Sequence, residues 1–215
     1  MILRELQQLL AKLYDAPVEH DVEDYLIEDR AQLEALSGEP AAGDEQVVLV
    51  ERDHEVRVGV YIDRAVLERL HDSDPLTALV DGNLQDYCTA LEGVSHFHYL
   101  MWNLARNRSV SLLELELQAD VDKYAGAVKL ASEQCAGRLP IALHERLFDR
   151  VGYLPGLSVE CRRRYEDANR YAARFCRSIE ERFLRGRRLR PEAWLAEVRR
   201  FFRQDHHQKL REATR

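Results

Sequence analysis

The 215-residue chain carries a formal net charge of −7, with 46% hydrophobic and 32% charged residues, a balance that excludes a disordered protein. Its apolar runs are all shorter than the roughly 18 residues of a membrane span, so no membrane segment is predicted. The four cysteines are scattered without a CxxC pair, which excludes a disulfide framework and a cysteine zinc site and favours a reducing, cytoplasmic location.

The N-terminal part of the chain is predicted to form two helices. Residues 2–14 place leucine and isoleucine side chains at helical spacing, which indicates a helix with one apolar face. A second helix is predicted over residues 21–36, and it is followed by a loop whose Gly, Pro and Asp residues interrupt any regular period.

The period of the sequence then changes from that of a helix to that of a strand. Two apolar segments flank the short turn RDHE, and polar and apolar residues alternate strictly in the second segment. This pattern predicts an antiparallel β-hairpin over about residues 47–62 with one buried face. The buried face should consist of Val56, Val58, Val60 and Ile62, and the other face should carry Arg57 and Tyr61.

From residue 64 onward the pattern is helical. Helices are predicted over 64–71, 74–80, 82–106, 111–134, 139–150, 158–185 and 191–212. The doublet His206–His207 near the end of the last helix is interpreted as a solvated, fraying terminus. The predicted fold is mainly α: a multi-helix, bundle-like domain with a small antiparallel β-hairpin.

The predicted helix 82–106 contains the unusual segment EGVSHFHYLMW, with two histidines two positions apart. At 100° per residue, His98 faces apolar side chains, whereas His96 lies on a polar stripe with Glu92, so the two histidines cannot bind one ion together. His98 is therefore predicted to be a neutral core histidine that is hydrogen-bonded to a neighbour.

The predicted helix 111–134 is apolar on two sides, so it should be covered by other elements on both. Two polar seams separate its apolar strips: the first is Glu114/Gln118/Asp122, and the second is Glu116/Asp120/Lys123.

Glu92 and His96 should face the second seam, because the two helices are joined by a short turn and are expected to be antiparallel neighbours. Glu116 and Asp120 are like charges four residues apart, which is unfavourable unless a cation lies between them. That cation can be a metal ion shared with Glu92 and His96, because helical bundles hold metals with such ligands. It can equally be Lys123, which is preferred because it is already in the sequence.

The preferred interpretation is therefore a satisfied buried polar network that needs no cofactor. It predicts that His96 contacts Glu116, Asp120 or Tyr124 of the next helix. It also predicts that removal of Glu92 or His96 lowers stability rather than abolishing an activity, because buried partners lose their hydrogen bonds.

Charge is distributed unevenly along the chain. Residues 158–215 contain 17 Lys and Arg against 9 Asp and Glu, whereas residues 1–157 contain 14 against 29. The predicted organisation is an acidic helical body, 1–157, with an Arg-rich C-terminal helical region, 158–215, packed on it as one domain. The arginines of interest lie on one face of the helix 158–185 and in the connector after it: Arg163, Arg170, Arg174, Arg177, Arg187 and Arg188.

Three functions are compatible with these features. Arginine binds carboxylates and phosphates bidentately, so the first is an adaptor or regulatory subunit that binds an acidic protein surface through these six arginines. The alternative is a metal-dependent enzyme with its site between the helices 82–106 and 111–134. A nucleic-acid accessory protein is the third, and it is disfavoured because the acidic body would repel a polyanion.

A structural explanation competes with all three functions. The arginines can dock on the acidic body of the same chain, or on a second copy in a homo-oligomer, through surface pairs that contribute roughly 0–1 kcal/mol each. In that case each should lie near an Asp or Glu of this chain. If they serve a partner, they should be exposed along one face that continues to Arg187 and Arg188, and this second arrangement is predicted for at least two of the four on the helix.

Overall fold

The computed structural model describes residues 2–38, 43–52, 55–135, 142–153, 155–184 and 191–214. Its helices are α1 (Ile2–Tyr14), α2 (Arg30–Ser37), α3 (Arg64–Asp72), α4 (Leu84–Leu104), α5 (Leu112–Gln134), α6 (Val159–Ile179), α7 (Pro191–Arg203) and α8 (His206–Glu212). The strands β1 (Leu26–Ile27), β2 (Glu45–Arg52) and β3 (Glu55–Ile62) form a mixed sheet. The predicted helix-dominated α+β fold is confirmed. Among the described residues, no helix combines the length and apolar composition needed to cross a membrane.

The helix α5 packs against neighbours on two sides. It contacts α4 and α6, and α1 packs on both α4 and α5. The sequence explains this position, because both apolar strips of α5 are buried, with Leu117 and Val121 in one and Leu115 and Leu130 in the other. The two polar seams between the strips are brought to buried positions as well, where their side chains need partners from neighbouring elements.

The sheet packs on α4. β2 pairs antiparallel with β3, and β1 pairs parallel with β3 along its other edge. Gly93 of α4 faces the sheet, and a Cβ there would lie 2.8 Å from Cδ1 of Ile62 and 3.0 Å from Cγ of Glu45. The missing side chain at Gly93 therefore lets the sheet approach α4 closely and brings Glu45 to the helix surface.

The hairpin buries its predicted inward face. Val60 and Ile62 are fully buried and Val58 is partly buried, while the side chain of Val56 lies outside the described residues. Arg57 is exposed on the opposite face.

The prediction of a single buried face is nevertheless wrong. Tyr61, on the same face as Arg57, is only 1% exposed, because it packs with Ile27, Leu33 and Val48 in a small second core. The helix α2 and the strand β1 supply the apolar cover. The alternation of residues within the hairpin cannot predict that Tyr61 is covered, because the covering residues Ile27 and Leu33 come from another part of the chain.

The predicted helix 21–36 is interrupted by β1. A 3-10 turn, Val22–Tyr25, precedes the strand, and α2 begins only at Arg30. Asp21 and Asp29 precede these two helical segments, and each side chain accepts a hydrogen bond from a backbone N–H of the first turn. Two aspartate caps therefore divide a segment whose apolar spacing resembles one helix.

Two other predicted helices are also altered. The segment 74–80 forms a turn in which the side chain of Asp74 accepts hydrogen bonds from the two residues Leu76 and Thr77. Within 139–150, the described residues include the π-helical turn Glu145–Asp149. The turn at Asp74 replaces a helix because the aspartate side chain accepts hydrogen bonds from groups of the following residues, which competes with helix formation.

The predicted C-terminal helix 191–212 is divided into α7 and α8. Asp205 accepts a hydrogen bond from the backbone N–H of Gln208, and the side chain of Gln208 accepts one from the backbone N–H of Asp205. This capping box starts a new helix. His207 is exposed, as the interpretation of a solvated end expected, but the end is not detached from the core: His206 is half-buried with Nδ1 3.1 Å from Oγ of Ser111, and Lys209 of α8 is fully buried.

His98 lies in the core, as predicted, with 1% of its surface exposed and its ring near that of Phe202. Burial lowers the pKa of His98 to about 4, and the backbone of Ala16 offsets only part of this effect. The imidazole is therefore neutral at pH 7. The expected neighbour is the backbone of Ala16, but its contact with the ring lacks standard hydrogen-bond geometry in the described part of the chain.

Candidate functional site

A cavity of about 270 Å³ adjoins the second polar seam of α5. It lies between the start of β2, α4, α5 and α6, and Tyr153 from the segment before α6 also lines it. The charged residues among its described lining are five carboxylates and one lysine, with a formal charge of −4: Asp44, Glu45, Glu92, Glu116, Asp120 and Lys123. Such a concentration of partly buried negative charge is costly unless cations compensate it.

His96 lies beside this cavity between two of the carboxylates. Its Nδ1 is 3.4 Å from Oε1 of Glu45, and its Nε2 is 3.4 Å from Oε2 of Glu116. Burial alone would lower the pKa of His96, but the attraction of Glu116 and Glu45 outweighs burial and holds the pKa well above its usual value. The predicted contact between His96 and Glu116 is confirmed.

Both contacts of His96 are ion pairs with poor hydrogen-bond geometry. A distance of 3.4 Å exceeds the range of about 2.7–3.2 Å for a good N–H···O bond. Nε2 of His96 and Oε1 of Glu45 are buried, and neither has a hydrogen bond of standard geometry to any described residue. The charges therefore attract one another, but the hydrogen-bonding capacity of these two atoms is unused.

Lys123 lies between two other carboxylates of the cavity. Its Nζ is 2.9 Å from Glu92 and 2.7 Å from Asp120. Burial would lower the pKa of Lys123, but these two carboxylates raise it well above its usual value. Burial alone would raise the pKa of Glu92, but the attraction of Lys123 and His96 lowers it. At Asp120 the effect of burial is larger than that of Lys123, and the pKa is raised. Lys123 is therefore the cation beside Asp120, as the preferred interpretation expected.

Glu116 has cationic neighbours of its own. Besides His96, Nε of Arg164 on α6 is 3.5 Å from Oε1 of Glu116. The like charges Glu116 and Asp120 are thus compensated separately, the first by His96 and Arg164 and the second by Lys123. This arrangement removes the conflict that their spacing on α5 created.

Three of the four candidate ligands are close enough together to hold a metal ion. One ligand atom from each of Glu92, His96 and Glu116 lies within 4.8 Å of the others. Ligands bound at about 2.1 Å to one ion are at most about 4.2 Å apart, so small side-chain movements would complete the set. Two carboxylates and an imidazole suit Zn²⁺, Fe²⁺ or Mn²⁺. Asp120, the fourth candidate, lies outside this set.

Glu45 is a residue of the candidate site that sequence reasoning missed. It faces Nδ1 of His96, and a carboxylate at that position fixes the tautomer in which Nε2 is free to bind a metal. Its contact with His96 depends on the close approach of β2 to α4 at Gly93. No local pattern in the sequence indicates this contact, because β2 and α4 are far apart along the chain.

The arginines of α6 lie on its exposed face. Four side chains are exposed: Arg163, Arg170, Arg174 and Arg177. Arg163 and Arg170 are 4.0 Å and 2.6 Å from Asp167 of the same helix, and Arg177 contacts the ring of His144. Arg187 and Arg188 lie outside the described residues. The binding of a partner by these six side chains stays a prediction.

A second buried polar cluster, here named the Lys209 cluster, forms on the first seam of α5. Lys209 donates hydrogen bonds to the Tyr99 hydroxyl, at 2.8 Å, and to the side-chain oxygen of Gln118. Gln118 in turn donates to Asp122, at 2.6 Å, and Asp122 also accepts from the hydroxyls of Ser95 and Tyr14. The sequence predicted the first polar seam of α5, but no pattern in the short, polar helix α8 indicated that Lys209 hydrogen-bonds to this seam.

Comparison of the chain with protein-family models, with curated proteins and with solved structures gave no match.

Proposed function

We propose that the protein is a metal-dependent enzyme that binds one divalent transition-metal ion through Glu92, His96 and Glu116 and acts on a small molecule in the adjoining cavity. The observation that carries this proposal is the position of His96, buried between Glu45 at Nδ1 and Glu116 at Nε2. An ion beside Nε2 would use the lone pair of that nitrogen and the Glu116 carboxylate, while Glu45 accepts the proton on Nδ1.

This arrangement has the two features expected of a catalytic metal site. Histidine ligands usually donate their second ring N–H to a carboxylate, which is the position of Glu45. Catalytic sites also keep three protein ligands and leave a coordination position for water or substrate. The cavity beside Glu92 and Glu116 offers the space for that position.

The chemistry of such a site follows from its charges. A bound divalent ion polarises a carbonyl or phosphoryl oxygen and lowers the pKa of bound water. Asp120 lines the same cavity, and burial raises the pKa of its carboxyl, which suits a group that transfers protons. We therefore assign the metal ligands to Glu92, His96 and Glu116 and the acid–base role to Asp120.

A protonated His96 is the competing state of the same site. The imidazolium compensates Glu45 and Glu116 without a metal, and a metal can bind Nε2 only after that proton leaves. The apparent affinity for metal should therefore increase with pH until the raised pKa of His96 is passed.

The proposal is tested by titrating EDTA-treated protein with Mn²⁺, Fe²⁺, Co²⁺ and Zn²⁺ in a calorimeter, together with elemental analysis. We expect one equivalent to bind, with an affinity at least about tenfold lower in His96→Asn and Glu116→Gln and about 10–100-fold lower in Glu45→Gln. His98→Asn is the matched control, because His98 is the other buried histidine of α4 and contacts none of these carboxylates in the described structure.

Circular dichroism and melting temperatures establish that each variant is folded. Absence of stoichiometric binding by folded wild-type protein would contradict the proposal, as would equal affinity in His96→Asn. A loss of stability in the variants without any metal binding would favour the satisfied polar network instead.

A second function, binding of an acidic protein surface by an adaptor or regulatory subunit, is favoured by the exposure of the α6 arginines. The described carboxylate partner of Arg163 and Arg170 is Asp167 of the same helix, not a residue of the acidic body. Guanidinium groups that project into solvent are available for bidentate contacts with the carboxylates of a partner. A second copy of this chain would also offer an acidic surface.

A further inference from the structure

The cavity keeps a negative charge that the proposed metal ion would not fully compensate. Its described lining has a formal charge of −4, which a divalent ion reduces to −2. Arg164, which contacts Glu116, reduces it by one more. An organic molecule in the cavity is therefore in a negative field, which attracts cations and repels anions.

The hydrogen-bonding groups of the cavity are mainly acceptors. Ionised carboxylates accept hydrogen bonds and donate none. Asn169 also lines the cavity; its amide nitrogen donates to the backbone oxygen of Phe148, at 3.0 Å, and its Oδ1 is buried without a hydrogen bond to any described residue. Oε1 of Glu45 also lacks a hydrogen bond of standard geometry to any described residue, and beside the lone pair that faces Nδ1 of His96 it has a second one for a ligand. A ligand that satisfies both oxygens has to be a hydrogen-bond donor.

Two aromatic rings complete this environment. Tyr153 and Tyr165 both line the cavity, with ring centroids 6.4 Å apart. Each ring already has a guanidinium group of this chain near it, Arg162 at 5.9 Å and Arg164 at 5.3 Å. Aromatic faces attract cations, but each of these rings already has a cation of this chain beside it, so the preference for a cationic ligand rests on the carboxylates.

We infer that the organic ligand of the cavity is a small amine or guanidine, with its cationic group donating hydrogen bonds to Glu45 and Asn169. The inference rests on the proposed enzyme function, whose substrate it names by class. A cavity of about 270 Å³ holds the equivalent of roughly nine water molecules, so the ligand has on the order of ten non-hydrogen atoms.

Three four-carbon probes that differ only in their end groups test the inference: 1,4-diaminobutane, 1,4-butanediol and succinate. Their binding is measured by calorimetry at about 0.15 M salt, which screens attraction to exposed surface charges. We expect saturable binding of the diamine, at least about tenfold tighter than that of the diol or succinate. Asn169→Leu and Asp44→Asn should weaken it, whereas Glu68→Gln, an exposed carboxylate of α3, is the matched control.

Separate titrations distinguish the two proposals. Metal is titrated in the absence of probes, and the probes are titrated into both metal-loaded and EDTA-treated protein. Diamine binding without metal binding would support the ligand class and overturn the metal site. Metal binding together with equal affinity for the three probes, a preference for succinate, or no saturable diamine binding would overturn the amine inference alone.

Discussion

Lys209 carries its ammonium group at a fully buried position. The Nζ atom lies 4.1 Å from the centroid of the Tyr99 ring and hydrogen-bonds to the Tyr99 hydroxyl and to Gln118. Two carboxylates are connected to it through these partners, Glu114 through Tyr99 and Asp122 through Gln118. The charge is thus solvated by neutral dipoles, with the carboxylates one side chain further away.

The titration of Lys209 should therefore make stability depend on pH. Burial lowers the pKa of Lys209 to about 7, an effect that Glu114 and Asp122 oppose and Arg108 reinforces. In the unfolded chain a lysine titrates near pH 10, so between about pH 7 and about pH 10 the unfolded chain binds more protons here than the folded protein does. The free energy of unfolding should rise with pH across this range, and Lys209→Met should abolish that rise.

Urea unfolding of wild type and Lys209→Met at about pH 7, 8.5 and 10 measures this effect. We expect the difference between their free energies of unfolding to move in favour of the wild type by more than about 1 kcal/mol as pH increases. Burial raises the pKa of Asp122 to about 6, so its titration falls below this range. Lys129→Met gives the reference for loss of a partly exposed lysine, and a pH-independent difference for Lys209→Met would contradict the prediction.

At the scale of the element, α8 depends on the residue that precedes it. The capping box of Asp205 and Gln208 satisfies backbone N–H groups at the start of a helix of 7 residues, which is too short to be stable alone. We expect Asp205→Ala to lower the free energy of unfolding by about 1 kcal/mol, and Asp205→Asn, which keeps a capping oxygen, to lower it by much less. Urea unfolding checks both variants, and equal stability of Asp205→Ala and wild type would show that the cap does not hold α8.

The long helices were predictable because their periodic signal extends over many turns. α4 and α5 begin and end within two residues of the predicted bounds 82–106 and 111–134. The two residues of β1 are too few to show any period, and the helix breaks at Asp29 and Asp205 depend on single side chains that cap the backbone. Local capping therefore overrides an apolar spacing that continues across each break.

The candidate site was predictable to the extent that it lies on neighbouring helices. Spacing along α4 and the short turn to α5 predicted that His96 meets Glu116, and the distance confirms it. The other neighbour of His96, Glu45, arrives from the sheet because Gly93 has no side chain. Such a contact joins elements that are distant in the sequence, so the periodicity of either element cannot predict it.

At the scale of the whole molecule, the described arginines of residues 158–215 differ in their partners, and Arg182 and Arg200 pair with Glu197 of the same region. Arg199 and Arg203 donate hydrogen bonds to backbone oxygens at the C-terminal end of α1, where the helix dipole concentrates negative charge. Arg164 contacts Glu116 in the same way that the docking explanation expected. The only described carboxylate partner of the exposed arginines of α6 within the helix is Asp167. Docking on the body of the same chain therefore accounts for Arg164, Arg199 and Arg203, whereas binding of a partner by the exposed arginines of α6 stays a prediction.

Charge reversal on α6 tests this prediction. Exposed ion pairs contribute roughly 0–1 kcal/mol, so the double variant Arg170→Glu/Arg174→Glu should remain folded with a melting temperature close to that of the wild type. We expect the variant to lose proteins that the wild type retains from cell extract at low salt and releases at high salt, because salt screens contacts between exposed charges. Arg57→Glu, exposed on β3, is the control and should retain them. An unchanged set of proteins with a lowered melting temperature would assign these arginines to the stability of the chain instead.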